Sequence, residues 1–200
     1  MEVTFQDADI QVVLLTYQYD REEVERVISL FEEIAIEQSW QPDNQLRAYP
    51  TSSVYFALYI SGELAGALQL VVGNSEEGLP CLTVWPELNL YNRTDVADVA
   101  LMAFGQKYRG SRKLFWLVCI EMWRFCVNHN IVELWVEASP RIIEIEKRLG
   151  WPLQIAGPLR HHWEEASYPC RMSVATIAEI ALARAQKSQQ YEKITQQIYR

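Results

Sequence analysis

The sequence has few of the features that mark metal proteins, membrane proteins and exported proteins. Its four cysteines form no Cys-x-x-Cys pair and its three histidines form no zinc motif, so we expect structural thiols and no metal. The longest apolar runs, such as residues 64–72, are far shorter than the roughly 20 residues of a membrane-spanning helix. Residues 1–9 hold three acids and no base, which argues against a secretory or transit peptide and predicts a cytoplasmic protein.

Basic residues are also scarce, above all in the first half of the chain. Residues 1–104 carry 17 acidic and 4 basic side chains, whereas residues 105–200 carry 9 acidic and 14 basic ones. With a formal charge of −8, the chain is a poor general nucleic-acid binder, because phosphate contacts need a basic surface. An anionic ligand is therefore expected on the second half. Hydrophobic residues make up 50% of the sequence, enough for the core of one domain over residues 1–200.

Hydrophobic periodicity divides the chain into strands and helices. Apolar, β-branched runs mark the predicted strands, and apolar residues three and four apart mark the helices. A capping-box pattern of Asp20 and Glu23 begins the first helix. Strands are predicted over residues 10–16, 54–60, 63–72, 96–104, 131–137, 152–156 and 168–173. Helices are predicted over residues 21–38, 114–128, 140–149 and 174–200, with an extended segment over 79–90 and a polar loop over 157–167.

The order of these elements indicates an α/β (α+β) fold with a mixed, mostly antiparallel central sheet flanked by helices. Four strands come before the central helix, and Ser61-Gly62 predicts a tight hairpin turn between two of them, so the middle of the sheet is antiparallel. A strand–helix–strand crossover then adds a parallel pair. The predicted core covers residues 10–173, and residues 174–200 add an extra C-terminal helix.

This order, together with three pieces of sequence, resembles the GNAT (Gcn5-related N-acyltransferase) superfamily. The hairpin VYFALYISGELAGALQLV is similar to the family's second and third strands, and EASPRIIEIEKRLGW at 137–151 to its fifth strand and a following short helix. KYRGSRKL at 107–114 resembles a degenerate form of the family's pyrophosphate loop, in which Arg112 and Leu114 replace two glycines. The resemblance implies transfer of an acyl group from a thioester donor to the amine of a small molecule.

A narrower resemblance is to the autoinducer-synthase-like branch, which includes acyl-homoserine-lactone synthases and N-acyl amino acid synthases. In that branch a Leu-Pro segment precedes an acidic residue that opens the motif Glu-Ile-x-Arg-Leu-Ala-Val. Here GLPCLTV at 78–84 precedes DVALMAF at 98–104, so Asp98 stands where the branch has Glu. Arg109 stands where an arginine usually follows the strand, whereas Leu101 replaces the motif's own arginine.

The resemblance implies a donor site at the start of the central helix. Backbone N–H groups at a helix N-terminus bind phosphate, because they are unpaired and the dipole end is positive. The residues expected to bind the donor are Met102, Phe104, Lys107, Arg109, Gly110, Ser111, Arg112 and Lys113. The donor is a coenzyme A thioester or the phosphopantetheine of acyl carrier protein, whose acidic surface these bases also suit. The alternative is a solvated basic cap.

Asp98 and Glu137 are the candidate catalytic residues. Strand alternation puts Asp98 on one face with Ala100 and Met102, and an apolar setting raises the pKa of a carboxylate toward values useful in a general base. The alternative for Asp98 is an ion pair or a turn cap. Glu137, at the end of the fifth strand, is the second choice.

The family's acid tyrosine is missing, because its position holds Glu146. His161, His162 and Tyr168 are possible substitutes, and the alternative for the histidine pair is an ordinary surface loop. Four aromatic residues are candidates for lining an apolar acyl or acceptor pocket, with core or surface packing as the alternative for each: Trp40, Tyr55, Tyr59 and Trp163.

Small side chains suggest room for an acyl chain longer than acetyl, although close packing of sheet and helix explains them equally well. These residues are Ala65, Ala67, Ala97, Ala100 and Ala103. The leading interpretation is therefore an N-acyltransferase with a small-molecule amine as acceptor, and acyl carrier protein and a homodimer are left open as partners. The alternative is a binding or regulatory module that keeps the fold without catalysis, because two loop glycines and the acid tyrosine are missing.

Overall fold

The structure is a computed structural model that describes residues 1–41, 45–74 and 76–185. The strands are β1 (Glu2–Asp7), β2 (Ile10–Thr16), β3 (Ser53–Ile60), β4 (Glu63–Val72), β5 (Val96–Phe104), β6 (Glu133–Ala138), β7 (Gln154–Ile155), β8 (Arg160–His162) and β9 (Glu165–Ser173). The helices are α1 (Arg21–Gln38), α2 (Cys81–Val84), α3 (Arg112–Asn128), α4 (Pro140–Leu149) and α5 (Val174–Ala185). In these three ranges no helix is long and apolar enough to cross a membrane.

The strands form one sheet in the order β1-β2-β3-β4-β5-β6-β9-β7, with β8 paired to β9 beside this path. β5 and β6 run parallel, and the other recorded pairs are antiparallel. The predicted mixed, mostly antiparallel sheet flanked by helices is therefore confirmed. The C-terminal helix is present as α5, and the part of its prediction beyond residue 185 lies outside the described residues.

Helices cover both faces of the sheet and bury a separate apolar cluster on each. On one side, called the α1 face, Val27 and Phe31 of α1 pack with Tyr55 of β3. On the other side, called the α3 face, Leu117 of α3 packs with Phe56, the residue that follows Tyr55. Successive residues of β3 thus point to opposite faces, as strand geometry requires.

Several local predictions are confirmed. The β3–β4 hairpin turns at Ser61-Gly62, with φ of 51° and 81°, and two left-handed residues are what a type I′ turn needs. α4 begins at Pro140 and is followed by Gly150, whose φ of 80° fits a glycine after a helix.

The predicted capping box is wrong, although α1 begins where expected. The Asp20 side chain makes no cap hydrogen bond and instead accepts one from the Thr16 N–H at 3.1 Å. Glu23 accepts a hydrogen bond from the Tyr59 hydroxyl at 2.6 Å. Tertiary partners from neighbouring strands thus engage both carboxylates.

Two predicted irregular segments are also wrong, and the strand β1 was missed. Residues 79–90 contain α2 and a single helical turn, because Leu79, Leu82 and Trp85 are buried at helical spacing. Residues 157–167 form much of a hairpin of β8 and β9 rather than a polar loop. Its turn carries Trp163-Glu164 instead of a glycine signal, so the sequence pattern does not reveal it.

Candidate active site

The sheet opens between its two parallel strands. β5 and β6 pair from Val96 opposite Glu133 to Val99 opposite Val136, where their register ends. Beyond this point β5 continues to Phe104 beside β4, and β6 continues to Ala138 beside β9. The two strands therefore separate, and the backbone of residues 100–104 lines a gap in the sheet.

A bulge in β5 decides which side chains face each side of this gap. Gln69 of β4 pairs with Leu101, while the next residue, Leu70, pairs with Val99, so Ala100 is the extra residue. Past the bulge the alternation is reversed, and Met102 packs on the α3 face while Leu101 packs on the α1 face. The prediction that Asp98 and Met102 share a face is therefore wrong, because a bulge shifts the period-two pattern.

One cleft, with a volume of about 1060 Å³, includes this gap and has walls from both faces of the sheet. On the α3 face it is bounded by α3, α4 and the segment after α4. On the α1 face it is bounded by the end of α1, the β8–β9 turn and residues 80–81. A ligand in the cleft can therefore contact both layers of helices through the sheet.

Charges of opposite sign lie on the two sides of the cleft. Acidic side chains line it on the α1 face, and we call this part the acidic chamber: Asp98, Glu137, Glu164 and Glu165. Arg112 and Arg141, at the first turns of α3 and α4, line it on the α3 face. Such a separation favours a cationic group on one side and an anionic group on the other.

Asp98 lies in the wall of the acidic chamber. Only 2% of the residue is exposed, and its Oδ2 accepts a hydrogen bond from the Cys81 N–H at 2.8 Å. Burial raises the pKa of Asp98 to about 6, and the nearby charge of Glu137 acts in the same direction. The side chain thus holds the start of α2, which is the turn-cap alternative, while it also borders the cleft.

Glu137 is joined to two polar residues of the β8–β9 hairpin. Its Oε2 lies 2.7 Å from His162 Nδ1, and its Oε1 accepts a hydrogen bond from the Ser167 hydroxyl. All three residues line the cleft. His161, by contrast, points to solvent. The structure therefore separates the two histidines, which sequence analysis treated as a pair.

The predicted donor residues fall into two groups. Five of them line the cleft, namely Met102, Phe104, Gly110, Ser111 and Arg112, whereas Lys107, Arg109 and Lys113 do not. Ser111 is the N-cap of α3 and accepts a hydrogen bond from the Leu114 N–H at 3.4 Å. The helix start that could bind phosphate therefore borders the cleft.

Carboxylates from distant segments neutralise two of the expected phosphate ligands. Lys107 Nζ lies 2.5 Å from Glu63, and the Arg109 guanidinium binds both oxygens of Glu37 at 2.5 and 2.6 Å. Arg109 Nε also donates to the Phe104 carbonyl at 2.9 Å. Lys107 and Arg109 thus connect the loop before α3 to β4 and to α1, respectively.

The raised pKa of Glu146 and three unpaired polar atoms in the cleft wall are features that the sequence does not reveal. Burial raises the pKa of Glu146 to about 7, and the residue lines the cleft on α4. Within the described ranges, three buried side-chain polar atoms have no hydrogen-bond partner: Ser139 Oγ, Trp151 Nε1 and Trp163 Nε1. All three residues line this cleft. Because buried polar atoms are normally paired, each of these three atoms is a desolvated polar group in the wall of the cleft.

The apolar part of the cleft lies on the α3 face. Its walls include Phe115, Trp116, Cys119, Met122 and Met172. Of the alanines expected to leave space, only Ala100 borders the cleft, while the other four pack in the core clusters. The apolar pocket is therefore present, but large side chains of α3 form it.

Comparisons with known proteins agree with this architecture. No protein-family model matches the sequence, and no curated protein matches it. Among solved structures, FeeM, an N-acyl amino acid synthase from uncultured soil microbes, is 16% identical over 83% of this chain and 91% of its own, with a TM-score of 0.64.

Two further structures place this fold in context. MesI, a CoA-dependent acyl-homoserine lactone synthase, is 17% identical over 82% of this chain and 88% of its own, with a TM-score of 0.64. A GNAT-family acetyltransferase from Streptococcus pneumoniae is 11% identical over 81% and 98%, with a TM-score of 0.55. The chain therefore has the fold of the GNAT superfamily, shared with its autoinducer-synthase-like branch, and both resemblances are confirmed at the level of the fold.

Proposed function

We propose that this protein is an N-acyltransferase that moves an acyl group longer than acetyl from a phosphopantetheine thioester to the amine of a small molecule. The observation that carries the proposal is a single cleft through the gap between β5 and β6, with basic, apolar and acidic parts. These parts match, in turn, the phosphate of the donor, its acyl chain and a cationic acceptor.

The donor is expected to bind with its phosphate at the start of α3. Arg112 lines the cleft there, and the first N–H groups of the helix add a positive dipole end. The thioester arm then follows the open edge of β5, where backbone groups of residues 100–103 that face away from β4 can form hydrogen bonds. Coenzyme A and acyl carrier protein both supply this arm, and the CoA-dependent synthase MesI shares the fold.

The acyl chain fits the apolar walls on the α3 face. Phe115, Cys119 and Met122 come from successive turns of α3 and line the cleft over more than one helical turn. Each buried methylene is worth about 0.8 kcal/mol, so a pocket of this length rewards a chain of several carbons. An acetyl group is too short to contact a wall of this length.

The acceptor is expected to be a small primary amine bound as an ammonium ion. Asp98 and Glu137 supply negative charge in the acidic chamber, and Glu164 and Glu165 border it. An ammonium ion must lose a proton before its nitrogen can attack a thioester. Of the two predicted bases, Asp98 commits Oδ2 to a backbone N–H, so we assign it mainly the attraction of the cation.

Release of the thiol requires a proton, and Glu146 is placed to supply one. With its pKa raised to about 7, the carboxyl is mostly protonated at slightly acidic pH and about half protonated at neutral pH. It lines the same cleft as the proposed donor site and occupies the position of the family's acid tyrosine. We therefore assign Glu146 as the acid that protonates the leaving thiolate in place of the family's tyrosine.

A binding module without catalysis is the second candidate. It is favoured by the ion pairs of Lys107 with Glu63 and of Arg109 with Glu37, which leave fewer free bases for a donor pyrophosphate. A donor with a single phosphate on its arm, as in acyl carrier protein, needs fewer bases. The same ion pairs therefore also fit an enzyme that uses acyl carrier protein as its donor.

Release of free thiol distinguishes the two candidates. Acyl-CoA and acyl-carrier-protein donors of two to twelve carbons are incubated with the protein and a panel of primary amines, and the thiol is titrated over time. We expect amine-dependent release that grows with chain length. Donors that raise the melting temperature without any release of thiol would instead support the binding module.

A further inference from the structure

We infer that His162 is the base that takes the proton from the amine acceptor, and that Glu137 and Ser167 hold its imidazole in the orientation this step needs. The inference rests on the proposed acyl transfer and makes His162 a base, whereas the sequence alone suggested it only as a substitute for the missing acid tyrosine. It makes Glu137 a positioning residue, because its carboxylate acts through the imidazole.

The hydrogen bonds around Glu137 determine which nitrogen of His162 is available. A carboxylate only accepts hydrogen bonds, so the 2.7 Å contact from His162 Nδ1 to Glu137 Oε2 places a proton on Nδ1. In the neutral imidazole Nε2 then carries the lone pair. The described part of the chain gives Nε2 no hydrogen-bond partner, and His162 borders the cleft.

Glu137 is itself fixed in place. Its second oxygen accepts the Ser167 hydroxyl, so both of its oxygens are engaged. The side chains of His162 and Glu137 are 15% and 27% exposed, which leaves the pair accessible from the cleft but mostly removed from solvent. A carboxylate that orients an imidazole in this way stabilises the imidazolium that forms when Nε2 takes a proton.

The hairpin that carries His162 is built at a cost in backbone energy. Trp163 and Glu164 form its turn with φ of 48° and 63°, a conformation that bulky residues rarely adopt. Trp163 packs with the cluster on the α1 face, and its ring lies 5.0 Å from that of His162. Packing of the indole thus holds the turn, and the turn holds His162 at the acidic chamber.

The proton balance of the reaction gives His162 a defined step. The acceptor enters as an ammonium ion with three N–H hydrogens and leaves as an amide with one. His162 Nε2 takes the first proton, and the neutral nitrogen attacks the thioester carbonyl and forms the C–N bond of a tetrahedral intermediate. The C–S bond breaks when this intermediate collapses. The second proton leaves the nitrogen as the tetrahedral intermediate collapses. Glu146 gives its proton to the leaving thiolate and regains one of the two protons lost by the amine, and the other proton passes to solvent.

Asp98 and Glu137 are less suited to this step. Asp98 is almost fully buried and holds the Cys81 N–H, and both oxygens of Glu137 already accept hydrogen bonds. Nε2 of His162 has no hydrogen-bond partner among the described groups and is oriented through Nδ1, whereas Glu164 and Glu165, the other carboxylates of the chamber, are exposed to solvent.

The test compares His162→Gln with His161→Gln in the full chain. His161 is the adjacent residue on the same strand and is exposed, so its variant controls for changes to the hairpin. We expect His162→Gln to lower kcat by roughly 10²–10⁴ with an unchanged Kd for coenzyme A by calorimetry, and His161→Gln to match wild type. In His162→Ala, added imidazole should restore part of the lost rate.

Nitrogen-15 NMR of the histidine ring tests the role of Glu137 independently of activity. Wild type is expected to show His162 protonated at Nδ1 when neutral, and Glu137→Gln to lose this preference together with activity. Wild-type turnover that survives in His162→Gln would overturn the assignment of His162 alone. Absence of thiol release by the wild type with every donor and amine would overturn the proposed acyl transfer, and this assignment with it.

Discussion

Cys119 offers a direct way to test where the acyl chain binds. It is 4% exposed, lines the apolar part of the cleft, and lies on α3 seven residues before Cys126, which is fully buried but does not border the cleft. Leucine at position 119 replaces the thiol with an isopropyl group and so adds two non-hydrogen atoms to the wall. This takes up the room of about two methylenes of an acyl chain.

The expected effect follows from the energy of burying those methylenes. At about 0.8 kcal/mol each, kcat/KM of the wild type should rise about fourfold per added carbon until the pocket is full. Cys119→Leu should shift the optimum about two carbons shorter and lower kcat/KM at the wild-type optimum about 15-fold, with little effect on acetyl donors.

Cys126→Leu is the matched control. Both substitutions enlarge a buried side chain on the same helix and should cost a similar 1–3 kcal/mol in unfolding free energy. The assay is thiol release from a series of acyl-CoA donors of two to twelve carbons. Identical chain-length profiles for both variants and wild type, or a wild-type maximum at acetyl, would refute the proposed position of the chain.

Three further predictions concern charged residues of the cleft. Arg112→Glu should weaken coenzyme A binding in calorimetry about 10- to 150-fold, since a charge-assisted contact is worth about 1.5–3 kcal/mol. The exposed Arg148→Glu should bind coenzyme A as the wild type does, and a wild-type affinity in Arg112→Glu would remove Arg112 from the donor site. Because burial raises the pKa of Glu146 to about 7, its carboxyl favours folding while protonated, and this stability is lost as the pH rises from about 4.5 through 7. In urea unfolding, the free energy of unfolding of Glu146→Gln should therefore exceed that of wild type by about 2 kcal/mol at pH 8.5, a value already reduced for partial exposure, and should not exceed it at pH 4. The exposed Glu144→Gln is the control and should show no such pH dependence. Asp98→Asn should raise KM for the amine about tenfold with little change in kcat, whereas a 100-fold loss of kcat at constant KM would make Asp98 the base.

Local signals in the sequence were sufficient to place most elements of the fold. The strand over residues 96–104 has the predicted bounds, because a continuous apolar run needs no distant information. The helix after it and the helix over 140–149 were found from apolar spacing and from Pro140 and Gly150. These rules report hydrogen bonds and burial within a few residues, and together with the short hairpin turn and the strand–helix–strand connection they also indicated a mixed, mostly antiparallel sheet.

Features that depend on distant partners could not be found in this way. The bulge at Ala100 reverses the faces of β5, and it is visible only in the pairing with β4. The carboxylate partners of Lys107 and Arg109 lie 44 and 72 residues away in the sequence. Because charge and spacing do not identify such partners, the basic segment looked like a phosphate site along its whole length. Of its bases, only Arg112 borders the cleft.

The central claim is that the cleft joins an acyl chain to an amine. Mass spectrometry of a reaction containing octanoyl-CoA, the protein and a panel of primary amines tests it most directly. We expect an amide whose mass is that of octanoic acid plus one amine less water, formed in equal amount to the free thiol and at least about 100-fold more slowly with His162→Gln. Thiol and octanoic acid without any amide, or an unchanged donor that only binds, would contradict the claim.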